Sequence, residues 1–194
     1  MIERNIAPVL FQTFFVSRES SVSPMIVDII KLGKKFEELS LKEAECNISL
    51  SYGKRLLINA RDVDVKHMKQ QDIVEIVDYD PIKNIVLAIG KKYPCIETPV
   101  HWIIQKARHD VHAVVEIRSK KLYENCCDHL PVTEKTPCGT IDRAKAVLKT
   151  LQNEKNICIQ DEGILLAGLY LKEIEDSLIK IIEGAVNENR RKRS

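Results

Sequence analysis

The sequence predicts a three-layer α/β/α domain on a central mixed, mostly antiparallel sheet. Two short apolar runs, at 73–78 and 84–89, are joined by DYDPIK, whose aspartate and proline favour a turn, so they pair as a hairpin. Two further runs, at 111–119 and 156–160, are set apart by amphipathic helices, and helices between strands cover a sheet on both faces. The 194-residue chain suffices for one sizeable core and is too short for two comfortable domains.

Ser23-Pro24 opens the first helix, the serine able to cap orphan N–H groups and the proline suited to the first helical position. Behind it Ile26, Ile29, Ile30, Phe36 and Leu39 recur at helical spacing as far as Leu41. The stretch KEAECNISLSYG reads as a loop, and 55–60 as a strand ahead of the hairpin. Thr98-Pro99 repeats the cap-and-proline start, with Val100, Ile103, Ile104 and Ala107 on one face. Asp110 parts this helix from the strand at 111–119. After a polar segment bearing cysteines, Thr140 caps a helix whose inner face is Ala144, Val147, Leu148 and Leu151. Gly163 breaks the strand at 156–160, and 171–185 is strongly amphipathic through Ile174, Leu178, Ile181 and Ile182. The chain therefore divides into an N-terminal extension (1–23), one domain (24–186) and a basic, flexible tail, NENRRKRS (187–194).

Thirty basic and 28 acidic residues leave a net charge of +2, so no global field argues for nucleic acid or an anionic membrane as partner. The apolar runs are too short for a transmembrane helix. The start MIERNIAPVLFQTFF carries Glu3 and Arg4 and lacks a small-residue cleavage site, so no signal peptide is expected. A cytoplasmic protein with reduced thiols is the expectation for Cys46, Cys95, Cys126, Cys127, Cys138 and Cys158. The spacing of Cys126, Cys127 and His129 with Cys138 matches no common zinc ribbon or finger. His67, His109 and His112 have no nucleophile in register for a hydrolase triad.

One strand ends against type. In HDVHAVVEIRSK, Glu116 and Arg118 share a face, with Ile117 on the other. Two charges at the end of an apolar strand mark either a solvated edge or a site.

The order and spacing of these pieces resemble the class II aldolase/adducin head domain family, from about Pro24 to Ala185. KEAECNIS stands where that family has a helix followed by Gly-Asn-aliphatic-Ser. PCIETPVHWIIQKARHDVHAVVEIRS is similar to its Ser-Ser-Glu run, helix and strand ending in His-x-His, and NICIQDEGILLAG to its strand ending in His-Gly. In working members the three histidines hold a divalent metal, usually zinc, which polarises the substrate's oxygens, while a glutamate at the place of Glu97 handles protons. Cyclic tetramers are common, so the resemblance implies a homo-oligomer.

This chain departs from the pattern at every metal position: Glu116 and Arg118 replace the first two histidines and Glu162 the third. Arginine has no lone pair to give a metal, so the sequence holds no three-histidine zinc site. Asn47 and Ser49 remain as candidate substrate-binding residues of the phosphate loop, but Cys46 stands for its glycine and Cys95-Ile96 for its serine pair. Cys46 and Cys95 read as packing residues in that pocket. Trp102 is expected to pack between helix and sheet or at a subunit contact.

The resemblance brings Glu97, Glu116 and Glu162 together beside Arg118, with His101 near, and three crowded carboxylates need compensation. Arg118 can bind them in a salt-bridge network, one carboxyl can keep its proton, or a hard cation, Mg or Mn, can sit on Glu116 and Glu162. The helix starting at Thr98 is expected to help keep Glu97 ionised. No cofactor is expected under the first two solutions. The expected function is a ligand-binding or interaction module that has lost zinc-dependent sugar-phosphate lyase chemistry. The alternative is a lyase, epimerase or dehydratase-like enzyme on a phosphorylated sugar or small carbonyl compound, with Glu97 as acid/base and Arg118 binding a carboxylate or phosphate.

Overall fold

Successive side chains of a strand alternate between the faces of its sheet, and this period sorts the residues of the whole domain. The structure, a computed structural model, describes residues 11–39, 41 and 44–191. Eight strands form one sheet: β1 (Gln12–Ser17), β2 (Glu45–Tyr52), β3 (Arg55–Asn59), β4 (Ile73–Asp80), β5 (Ile85–Ile89), β6 (Ala113–Arg118), β7 (Asn156–Ile159) and β8 (Gly163–Gly168). Their order across the sheet is β1-β5-β4-β3-β2-β6-β8-β7. The β1–β5 pair is parallel and the others are antiparallel, which makes the sheet mixed and mostly antiparallel as the sequence predicts. The helices are α1 (Ile26–Glu38), α2 (Thr98–Ala107), α3 (Lys120–Cys126), α4 (Ile141–Leu151) and α5 (Leu171–Arg191).

On one face Ile48 and Leu50 of β2, Val115 and Ile117 of β6 and Ile164 of β8 meet Ile29 and Phe36 of α1 and Ile174 and Leu178 of α5. On the other, Val100 and Ile104 of α2 and Val147 and Leu151 of α4 cover Val114, Leu165 and Ala167. A further cluster beneath Trp102 takes in Leu56, Ile58, Val74, Ile76 and Val86. Each such side chain contributes about 1.5–3 kcal/mol when fully buried, so the two faces together supply the driving force for a three-layer domain. No helix among the described residues is long and apolar enough to cross a membrane.

Several local expectations change. The stretch read as a loop is strand β2: Cys46, Ile48 and Leu50 alternate with Asn47, Ser49 and Ser51, a period of two obscured because both sets are sheltered. Part of the N-terminal extension, Gln12–Ser17, adds an edge strand against β5. The first helix begins at Ile26, with Ser23 Oγ accepting from the Met25 N–H at 3.4 Å. Ser119 caps a helix unforeseen in the cysteine-bearing segment, its hydroxyl accepting from the Leu122 N–H at 3.3 Å. Ala107 is exposed, and Trp102 packs in the core between helix and sheet. The closing helix continues to Arg191, so the start of the charged tail extends it. The expectations for 1–10 and 192–194 lie outside the described residues.

Gly163 begins β8 instead of merely ending β7, because GILLAG is a continuous buried run. It pairs with Arg118, and a Cβ at this position would collide with the Ile117 carbonyl oxygen. Gly163→Ala should therefore lower unfolding free energy by about 1–3 kcal/mol, the scale of overpacking, in urea denaturation. Gly184→Ala, where a Cβ meets nothing within 4 Å, should cost nothing and serves as the control.

Candidate functional site: a buried ionic centre between helix and sheet

Glu97, His101 and Gln105 stand four residues apart, so they form one polar stripe along α2 and its cap. Beneath the stripe lie the same-face residues of β2 and β6: Ser49 and Ser51 on one strand, Glu116 and Arg118 on the other. Glu97, His101 and Ser49 are fully buried, and Glu116 is 2% exposed. Such groups tolerate burial only when partnered, and the partners are specific.

Arg118 donates to Glu97 Oε1 at 2.6 Å and to Glu116 Oε1 at 3.2 Å. Arg143, from the first turn of α4, donates to both oxygens of Glu162 at 2.8 and 2.6 Å, to Glu116 Oε1 at 3.4 Å and to the Thr136 carbonyl at 3.1 Å. Its guanidinium also lies 3.8 Å from Glu97 Oε1. The second oxygen of Glu97 accepts from the Gly139 N–H at 3.2 Å. Gly139 has φ +69° and passes so close to Ile96 that a Cβ would lie 2.5 Å from that carbonyl, so only glycine brings this donor to Glu97. A hydrogen-bonded chain continues along α2: Ser49 Oγ lies 2.7 Å from His101 Nδ1 and accepts from Gln105 Nε2 at 3.0 Å, while Ser51 Oγ donates to Gln105 Oε1. The Ser49 hydroxyl also lies 3.5 Å from the Val114 carbonyl oxygen, and the imidazole turns its other nitrogen, Nε2, towards Glu116. That atom has no hydrogen-bond partner and stands 3.9 Å from Glu116 Oε2.

Three carboxylates thus share two guanidiniums, and the proton affinities of the two buried ones, Glu97 and Glu116, diverge. Burial and the negative charge of Glu116 push Glu97 up to about 7. Burial also acts to raise Glu116, but His101 and the two guanidiniums overcome it and hold it down at about 2. Burial disfavours the charge on both arginines, yet the carboxylates around them raise both above the ordinary arginine value. The positive end of α2 was expected to keep Glu97 ionised; instead Glu97 makes no side-chain cap bond, and burial and Glu116 prevail.

The structure brings Glu97, Glu116, Glu162 and Arg118 together and sets His101 beside them. Asn47 and Ser49 lie on β2, not in a loop: the Ser49 hydroxyl is consumed by His101 and Gln105, and Asn47 faces Asn59 Nδ2 at 3.5 Å. All six cysteines are free thiols. Burial pushes Cys46 and Cys95 up to about 12, which makes them packing residues and not nucleophiles. Cys138 lies at the rim, 3.7 Å from Glu162 Oε2. Arg143 escaped sequence reasoning, although the signal was present: it precedes Val147 by one helical turn on the buried stripe of α4, where a cation needs a partner.

The carboxylate oxygens are the donor set a hard cation would use, and guanidiniums already occupy them. A dication about 5 Å from a guanidinium is repelled by roughly 7 kcal/mol at an effective dielectric near 20, and two guanidiniums are present. In this arrangement guanidiniums face the carboxylate oxygens. Among the described residues no group of three or more His, Cys, Asp or Glu side chains is disposed to hold one.

Arg143 is 1% exposed, so Arg143→Ala strands Glu162 and Glu116 and should cost about 3–5 kcal/mol in urea denaturation. A loss below about 1 kcal/mol, the scale of an exposed pair, would contradict a buried network. The pH dependence follows from the signs. Glu116 sits below its ordinary value of 4.5, so its contribution is present above that pH and lost as pH falls towards about 2. Glu97 sits above 4.5, so its contribution is complete below that pH and lost as pH rises through about 7. Stability should decline between about pH 5 and 8, and Glu97→Gln should flatten that decline; a flat profile in the unmodified protein would refute the assignment.

The family described as Class II Aldolase and Adducin N-terminal domain matches residues 27–183. Among solved structures, an L-fuculose 1-phosphate aldolase superposes with a TM-score of 0.75 at 22% identity, covering 90% of this chain and 89% of that one. The L-fuculose-1-phosphate aldolase from Thermus thermophilus gives 0.71 at 17% identity over 86% and 93% of the two chains. A sugar-phosphate aldolase from Thermotoga maritima gives 0.69 at 15% identity over 86% and 94%. No curated protein matches the sequence. At these identities the structural likeness speaks for the fold, and the family match spans most of the chain: this protein belongs to the class II aldolase and adducin N-terminal domain family.

Proposed function

We propose that this chain is a class II aldolase-like protein whose central cleft carries a fixed salt-bridge network in place of zinc chemistry, and that it serves as a ligand-binding or interaction module. The observation that carries the reading is the clasping of Glu97, Glu116 and Glu162 by Arg118 and Arg143. In the resemblance, Glu116, Arg118 and Glu162 stand at the family's three histidine positions. A guanidinium cannot lose its proton in the working pH range, so it neither ligates a metal nor makes room for one. The same charge replaces what a cation would contribute electrostatically, without its Lewis acidity.

The network is closed on its inner side and open at its rim, where Arg118 is 21% and Glu162 26% exposed. A small anionic ligand, or an acidic side chain of a partner, would meet Arg118 there. A homo-oligomer, the form common in the family, is part of this proposal. So is a cytoplasmic location.

One observation favours a second reading. Glu97 gains and loses its proton near neutral pH, the range suited to a general acid or base. An enzyme of this kind would use Glu97 for proton transfer and Arg118 to anchor a carboxylate or phosphate.

Two experiments separate the readings. Purified protein with zinc, magnesium or manganese added should give no retro-aldol cleavage of ketose phosphates and no metal-dependent rise in unfolding temperature; turnover or a stoichiometric tightly held ion would overturn the module reading. Arg118→Ala should cost about 3–5 kcal/mol in stability if the arginine belongs to a buried network, whereas an arginine reserved for substrate could be removed with little loss.

A further inference from the structure

A second site lies at the far end of β2. Glu45, at one end of that strand, pairs with Arg118 of the ionic centre; Ser51, near the other, opens into a cleft of about 230 Å³. The cleft is walled by the two-residue turn Gly53-Lys54 that joins β2 to β3, by the last turns of α2 and by the segment leading into β6. Lys54, Arg55, Lys106, His109 and His112 line it, and no carboxylate does. In a chain whose net charge is only +2, three fixed cations and two imidazoles around one cavity form a local concentration of positive charge.

Arg55 is ion-paired with the buried Glu75, so the uncompensated fixed charge at the cleft is that of Lys54 and Lys106. Lys106 donates to the Lys54 carbonyl oxygen at 2.7 Å and lies 4.3 Å from the Trp102 ring centroid, which holds its ammonium along the wall without neutralising it. Lys54, His109 and His112 make no ion pair among the described residues. The floor is polar and already oriented, since Ser51 donates to the Gln105 carbonyl and Gln105 donates inward to Ser49. At about 230 Å³ the cleft is smaller than the roughly 300–1,000 Å³ of pockets that enclose drug-sized ligands, a scale that suits a phosphate group with a short carbon skeleton.

We infer that this cleft is a binding site for a small phosphate monoester, its dianion held by Lys54 and Lys106 with the imidazoles of His109 and His112 at the rim. The site stands apart from the carboxylates of the ionic centre and does not depend on the function proposed for them.

Trp102 is the only tryptophan of the chain and lines the cleft, so its fluorescence reports occupancy directly. The full-length protein is titrated with inorganic phosphate and with glycerol phosphate at low salt, with sodium chloride of equal ionic strength as the blank. A saturable change below about 10 mM is expected, tighter for the ester than for inorganic phosphate. Lys54→Glu, at an exposed turn, should weaken it by about tenfold or more, and Lys106→Gln likewise, with unfolding temperatures confirming intact folds. Lys121→Glu, exposed on α3 outside the cleft, should leave it unchanged. No saturable change, equal weakening by Lys121→Glu, or a response to RNA or anionic vesicles without one to the small phosphates would each overturn the assignment.

Discussion

Two guanidiniums shared by three carboxylates, Glu97 and Glu116 buried and Glu162 at the rim, are the constraint around which this half of the molecule is arranged. Each ion removed from water costs several kcal/mol, and attraction repays that only where oxygens and N–H groups meet in good geometry. Here the geometry is supplied by four separate places in the chain. Arg118 comes from the end of β6, Arg143 from the first turn of α4, Glu97 from the cap of α2 and Glu162 from the turn between β7 and β8. The Gly139 N–H closes the remaining side of Glu97. Dislodging any of these elements would strand a charge, so the network fixes their relative positions more tightly than interchangeable aliphatic contacts could.

The stripe Glu97–His101–Gln105 extends this constraint along α2. A rotation of that helix by one position would set Val100 or Ile104 over Ser49 and press the imidazole into apolar surroundings. Each hydrogen-bonding group left unpaired in such a shift costs about 1–3 kcal/mol. The polar seam therefore specifies one orientation of α2 on the sheet, while Val100 and Ile104 supply the burial. It also joins two otherwise separate regions, since its far members, Gln105 and Ser51, form the floor of the basic cleft.

Much of the fold could be read from spacing alone, and the misses share a cause. The hairpin of β4 and β5, the proline-marked start of α2, the Thr140 cap of α4 and the apolar strand β6 were legible because period, proline, cap and turn agree locally, although the structure puts Thr98 inside α2 and Glu97 at its cap position without a side-chain cap bond. β2 was not: its polar residues Asn47, Ser49 and Ser51 imitate a loop, and only the polar stripe of α2 above them explains their burial. The carboxylates and Arg118 could be assembled through the family resemblance, which supplies the tertiary proximity that no one-dimensional pattern contains. Arg143 could not, because the resemblance assigns it no role and its partners lie in elements distant along the chain. A resemblance read motif by motif reaches only positions with an assigned role, and Arg143 stands outside those motifs.

The tethering of both guanidiniums bears on how this centre would meet a metal ion. A free cation competes for carboxylate oxygens at its ambient concentration, whereas Arg118 and Arg143 are tethered within bonding distance and compete at an effective concentration set by the chain itself. Neither can surrender its charge to make way, as a lysine or histidine could. Exchanging Arg118 for histidine would therefore restore one ligand but leave Arg143 bound to both oxygens of Glu162 and still repelling a dication. The first substitution towards a metal site gains little while the second guanidinium remains, and removing that guanidinium first leaves the three carboxylates short of partners. The two arginines hold each other in place through the acids they share.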